Sequence, residues 1–265
     1  SRMWDERSRV APDGAPDLES LDGIVRAFED FDRTAEYTAM NRQSFDPGAR
    51  LLMDVLEGSD LEDPRYLFDL GCLVTGNEIE TSKFLAALGG PETERLAESV
   101  ASAYVRGFEA EGKDMSGKST VTVSSCAGFE RLTLALARAF ADRGLSTVIG
   151  DLRSTPVNEQ HTYDHRFDFA LYLDEGIASR RVEAMKRAHE ATRDITSVFS
   201  GVSVVTRFGK EPFAPESRPE AVTATPEQAR LYQGLMSSTM EVQHQYIPRS
   251  ETSFSIVAFP SPEIG

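Results

Sequence analysis

Ser119-Thr120-Val121-Thr122-Val123-Ser124 is short and β-branched, the composition of a strand. Phe129 to Arg143 follows with amphipathic helical spacing and stops at Gly144, and Leu145 to Ile149 is again apolar and β-branched. Strand, helix and strand in that order make a βαβ unit, which implies a parallel pair with a right-handed crossover. Towards the C-terminus the alternation continues. Phe167 to Leu173 reads as a third strand and Ile177 to Ile195 as a helix with a basic outer face. Val202 to Arg207 reads as a fourth strand, Pro226 to Gln243 as a helix and Phe254 to Phe259 as a fifth strand. Such alternation predicts a parallel α/β sheet. The sequence ends at Gly265, shortly after a strand, where such a domain would normally lay a helix, so the C-terminal end reads as truncated.

Towards the N-terminus the spacing is helical. Ile24, Val25, Phe28 and Phe31 share one face, Asp46-Pro47-Gly48 is a turn, and Leu51 to Leu56 is a short apolar run. Glu78 to Leu88 is a helix closed by Gly89-Gly90, and Pro91 opens another with Leu96, Val100, Ala103, Tyr104 and Phe108 on one side. The expected fold class is therefore α/β, with a polar tail over 1–20, a helical N-terminal region over 21–115 and a parallel α/β domain over 116–265.

Forty-three acidic residues against 28 basic ones give a net charge of −15. A field of that sign repels phosphate backbones and anionic bilayers, so neither nucleic acid nor membrane is an expected partner. No apolar run approaches the ~20 residues that span a bilayer, and Ser1 to Ser20 has no signal-peptide core. Two unrelated cysteines, Cys72 and Cys126, fit a reducing compartment, and the expected location is cytoplasmic.

Several motifs carry candidate chemistry. Gly112 with Gly117-Lys118-Ser119 matches a phosphate-loop pattern, but that loop needs a strand before it and a helix after it. Here a helix precedes and a strand follows, so the segment reads as a connection. His161 and His165 flank Asp164 at a spacing that could share a metal on a helix. Pro156, Asn158 and Thr162 make the stretch read as a loop instead. Ser124-Ser125-Cys126 sits at a strand-to-helix turn, where it could hold an anion or act as a nucleophile, or simply cap the helix. His189 reads as exposed, His244 as the end of a helix, and Arg180, Arg181, Lys186 and Arg187 as a solvated basic face.

A set of strings, taken in order, resembles a known family. They are Ser59-Asp60-Leu61, Arg65-Tyr66-Leu67, Gly128-Phe129-Glu130-Arg131, and Tyr163-Asp164-His165-Arg166 with Asp168 and Ala170-Leu171-Tyr172-Leu173-Asp174. Phe208-Gly209, Glu211-Pro212-Phe213, Pro215, Ser253 to Pro260 and Pro262-Glu263-Ile264-Gly265 complete them. Over roughly residues 50 to 265 the chain is similar to the bacterial leucyl aminopeptidase family related to aminopeptidase T and aminopeptidase S, in its longer branch with a helical N-terminal region. Thr252 departs from that branch, which has an arginine there. The resemblance implies a homodimeric metallopeptidase that removes N-terminal residues from peptides, with two divalent metal ions held by Glu, His and Asp. The family's metal ligands lie in a C-terminal domain beyond the last matched string, so none maps onto a residue of this chain, which by itself is expected to be inactive. Tyr163, Asp164, His165 and Arg166 are the candidates for substrate binding, with His165 and Arg166 suited to a peptide carboxylate or carbonyl. The alternative expectation is a non-catalytic small-ligand-binding or partner α/β protein without the metal domain, using Ser124, Ser125 and His165 at the strand ends.

Overall fold

The computed structural model describes residues 18–155, 158–209 and 212–260. The polar tail therefore lies outside the described residues up to position 17, and so does the end of the last matched string. Helix α1 (Leu18–Glu29) takes in the last residues assigned to the tail, and α2 (Thr34–Phe45) and α3 (Leu51–Gly58) follow it. A 3-10 turn over Pro64–Leu70 leads to α4 (Gly76–Leu88) and α5 (Gly90–Ala110). Thr75 and Glu78 close a reciprocal capping box at the start of α4, which satisfies backbone N–H groups that the first turn would otherwise leave bare.

From residue 120 the expected unit appears: β1 (Thr120–Cys126), α6 (Glu130–Ala141) and β2 (Ser146–Arg153). Later come α7 (Glu159–Asp164), α8 (Glu175–Ala191), α9 (Arg193–Ser197), β3 (Phe199–Phe208), α10 (Pro226–Tyr246) and β4 (Ser253–Pro260). The four strands form one sheet in the order β2-β1-β3-β4, and every neighbouring pair is parallel. The fold class is thus α/β, with helices in the N-terminal part and a parallel sheet. In its register Val123 pairs with Ile149 on one side and with Ser203 on the other.

Compactness divides the chain into two units that interleave along the sequence. One comprises 1–38, 158–190 and 213–243, the other 39–157, 191–212 and 244–265. The change of periodicity near residue 115 thus marks a change of element type rather than a boundary between these units.

In the second unit, α5 and α6 bury Val100, Tyr104, Phe108, Leu132, Leu136 and Phe140 against Val121, Val123 and Val205 of the sheet. Burying each such Leu or Phe contributes about 1.5–3 kcal/mol. Ala103, expected on that face, is exposed. A neighbouring cluster joins Met53, Leu56, Tyr66 and Leu67 to Ala127 and Ile149. Between β3 and β4, Gly201 has φ of 127°, and a Cβ there would stand 1.8 Å from the Ser253 carbonyl oxygen. Only glycine lets the two backbones approach so closely.

The first unit is helical, with Phe169, Leu173, Ile177, Ala178 and Leu235 at its core. Two expectations are corrected here. Phe167 to Leu173 is not a strand: Asp168–Leu171 is a 3-10 turn, and Phe169 stacks on Tyr232 with centroids 4.2 Å apart. A short apolar run has no period of its own, so packing decided its form. The stretch holding His161 and His165 is not a loop: Asn158 accepts from the His161 N–H at 2.9 Å and starts α7. Asn is a turn former and equally a helix cap, and here it caps.

Candidate functional site

In an open parallel sheet, ligands bind beyond the carboxyl ends of the strands, near the point where strand order reverses. Here β2 lies to one side of β1, and β3 and β4 to the other, so that point falls between β1 and β3. At this edge of the second unit is a cavity of about 890 Å³, within the ~300–1,000 Å³ typical of small-molecule sites. Arg207 from the end of β3, Phe259 from the end of β4 and Phe129 from the turn after β1 line it, together with Asn77, Thr81 and Phe84 of α4. Phe129 and Phe259 have ring centroids 5.1 Å apart. Phe84 is 56% exposed although it lines the cavity.

Beneath this wall lies a buried polar layer. Glu78 has no accessible surface. Its carboxylate accepts from the Thr75 N–H (2.7 Å) and hydroxyl (2.6 Å), and from the Thr155 N–H (2.8 Å) and hydroxyl (2.6 Å). Burial works to raise its pKa, but these hydrogen bonds outweigh burial and pull it down to about 2. Arg207 Nη2 donates to Glu78 at 3.2 Å and to the Thr155 hydroxyl at 2.7 Å. Gly128, with φ of 97°, makes the turn possible: a Cβ there would meet the Glu78 carbonyl oxygen at 2.7 Å.

Glu130, also fully buried, behaves in the opposite way. Tyr66 donates to it at 2.6 Å, and the Gly128 N–H reaches both of its oxygens. Burial dominates and raises its pKa, with the nearby Glu78 charge adding to the rise. Two buried carboxyl groups within electrostatic reach of each other are therefore driven apart in acidity, and neither lines the cavity.

The residues singled out in the sequence sit elsewhere. Tyr163, Asp164, His165 and Arg166 belong to the first unit, whereas every lining residue of the cavity belongs to the second. His165 Nδ1 lies 2.8 Å from the Asp168 carboxylate, and its ring is 4.2 Å from that of His161. The Arg166 guanidinium lies 3.7 Å above the Tyr163 ring, and Asp164 accepts from Gln160 at 2.7 Å. Rather than starting a strand, these residues make a helical turn. A second cleft, of about 730 Å³, is lined by α8 and α10 residues including Glu183, Arg230 and Leu231.

Other candidates are committed to structure. Ser124 bonds Asp151, the buried Ser125 accepts from Thr133 at 3.1 Å, and Cys126 Sγ lies 3.6 Å from the Thr206 hydroxyl. None of the three caps α6, whose N-cap is Phe129. Lys118 joins Glu251 at 3.1 Å and the Ser197 carbonyl at 3.0 Å in a helix-to-strand connection. His189, read as exposed, is 4% exposed, and burial lowers its pKa. The basic side chains of α8 are not simply solvated: Arg180 reaches Asp30, Arg181 reaches Glu29 and Arg187 reaches Asp32. His244 accepts from Arg249 at 3.0 Å. Cys72 and Cys126 are free thiols.

Among the described residues, the donors present do not fit a dinuclear metal centre. Glu78 and Glu130 are taken up by the bonds above, and among the described residues no three His, Cys, Asp or Glu side chains stand together as metal ligands would. Nor, among the described residues, is any helix long and apolar enough to cross a membrane.

Fold and site together define an α/β protein with a small-molecule-sized cavity at the carboxyl edge of a parallel sheet. Comparison with known proteins takes this no further: no family model, curated protein or solved structure matches the chain.

Proposed function

We propose that this chain forms the substrate-shaping α/β part of a peptidase that removes N-terminal residues from peptides. The observation that carries the reading is the cavity at the carboxyl edge of the sheet, with an apolar wall of Phe84, Phe129 and Phe259 and a guanidinium at Arg207. An apolar side chain and a peptide's polar backbone need a wall of that kind. The family resemblance supports the same activity. On this reading the two divalent ions are held by a further domain, and water activation belongs there. No step of that chemistry passes through the residues described above. A homodimer and a cytoplasmic location belong to the same proposal.

The test is hydrolysis of leucyl anilide by the natural full-length product, loaded with zinc, cobalt or manganese and then treated with a chelator. Chelator-sensitive release of the anilide is expected, with a raised KM in Phe84→Ala. A full-length product that cleaves no aminoacyl substrate would overturn the peptidase reading. A second reading, a stand-alone small-ligand module, is favoured by the cavity's lining lying wholly within one unit. It would be supported by ligand binding without hydrolysis.

A further inference from the structure

We propose that this cavity recognises the free carboxylate of an apolar amino acid or of a short peptide ending in one, with Arg207 as the anion-binding group. The inference rests on the reading of the cavity as a ligand chamber and names what fills it.

Arg207 is only partly used by the protein. Both of its hydrogen bonds leave from Nη2, to Glu78 and to Thr155. Nε and Nη1 donate to no described residue. Glu78 in turn is satisfied by the two threonines, through four hydrogen bonds that need no arginine. The pair therefore fixes the guanidinium by one corner and leaves the other donors for a second acceptor. Each parallel fork of a guanidinium includes Nη2, so the Nε–H and Nη1–H groups left over donate singly, as charge-assisted bonds to a carboxylate oxygen. The Arg207 side chain is 15% exposed, so a bond made there is poorly screened by water.

A second donor stands on the same wall. The backbone of Asn77 is engaged, its N–H by Thr75 and its carbonyl by Thr81, but its side-chain amide bonds to no described residue. Like Arg207, Asn77 lines the cavity.

The rest of the wall selects the body of the ligand. Phe84, Phe129, Phe259 and Pro260 surround the polar end, and Phe84 is 56% exposed where an apolar ligand would cover it. The charge of the ligand is also constrained. Glu78 lies directly behind Arg207, and Glu80, paired with Lys83 at 2.8 Å, lines the same cavity. A carboxylate directly beside the guanidinium, with a second on the lining, weighs more against a phosphate dianion than against a singly charged anion.

The experiment is calorimetric titration of the 265-residue chain with N-acetyl-phenylalanine, N-acetyl-leucine, their carboxamides, N-acetylglycine and phenyl phosphate. The apolar acids should bind, and the carboxamides and N-acetylglycine should bind about tenfold more weakly or worse. Arg207→Gln and Asn77→Ala should reduce the preference for acid over carboxamide. Phe84→Ser, a change at an exposed position that leaves the buried layer intact, should weaken the apolar acids and leave that preference in place. Equal binding of acids and carboxamides, no binding of either, or tighter binding of phenyl phosphate would overturn the inference. Anilide substrates carry no carboxylate, so anilide hydrolysis without acid binding would sink this inference alone. Acid binding without hydrolysis would instead sink only the peptidase reading.

Discussion

Glu78 and Glu130 show how two fully buried carboxyl groups of one unit acquire opposite responses to pH. Glu78 is held down to about 2 from an ordinary 4.5. A depressed carboxyl contributes stability above its unfolded pKa and loses it as pH falls towards the folded value. Its contribution should therefore vanish between about pH 4.5 and pH 2. Glu130 is raised by burial, so its ionisation opposes folding as pH climbs through its folded pKa. Glu78→Gln should cost on the order of 3 kcal/mol at neutral pH, because it strands the Arg207 charge. It should also flatten the acid limb of stability. Glu130→Gln keeps an acceptor for Tyr66 and should cost no more than about 1 kcal/mol. Urea unfolding of both variants across the acid range decides this, and equal losses at neutral pH would contradict it. Little of this was visible in the sequence. Glu78 reads as the first residue of a helix and Glu130 as one letter of a matched string. Their meaning came from Thr155 and Tyr66, which lie 77 and 64 positions away.

At the scale of elements, glycine separates tight junctions from loose ones. Gly201 sits where β3 meets β4, and an alanine Cβ would collide with the Ser253 carbonyl and with Tyr104. Gly201→Ala should cost at least about 3 kcal/mol, since both the positive φ and the clash must be relieved. Gly234, inside α10, has nothing within 4 Å of the position that an alanine methyl group would take. Gly234→Ala should stabilise the protein by about 0.5–1 kcal/mol, as helical glycines generally do when replaced. Thermal melts of the two variants should shift in opposite directions, and a shift of the same sign in both would refute the argument. The same scale shows where reading by period works. β1, α6 and β2 stand within a few residues of their expected bounds, because each has a period set by its own alternation or its own apolar stripe. The Phe167 to Leu173 run had no such period, and α7 was decided by a single cap.

At the scale of the whole molecule, the two units differ in how their backbone is secured. In the second, β1 and β3 are paired on both sides within the sheet. The first has a small helical core of Phe169, Leu173, Ile177, Ala178 and Leu235. Regions with few buried apolar contacts open at lower free energy than central strands. Native-state hydrogen exchange should therefore show the amides of α7 and of the first turns of α8 exchanging well before those of β1 and β3. A single opening free energy shared by helices and strands would show that the units unfold as one.

What the sequence determined by itself is the class of the fold and the place of its central unit. Alternating β-branched runs and amphipathic stripes are local signals, and Gly89 and Gly144 mark helix ends by their own backbone freedom. Tertiary structure alone decided which residues form the cavity. Thr75, Asn77, Phe84, Phe129, Arg207 and Phe259 come from segments far apart in the chain, and no spacing rule links them. A parallel sheet brings its strand ends to one edge only after its crossovers are made, so the site exists in the order β2-β1-β3-β4 and not in the order of the sequence.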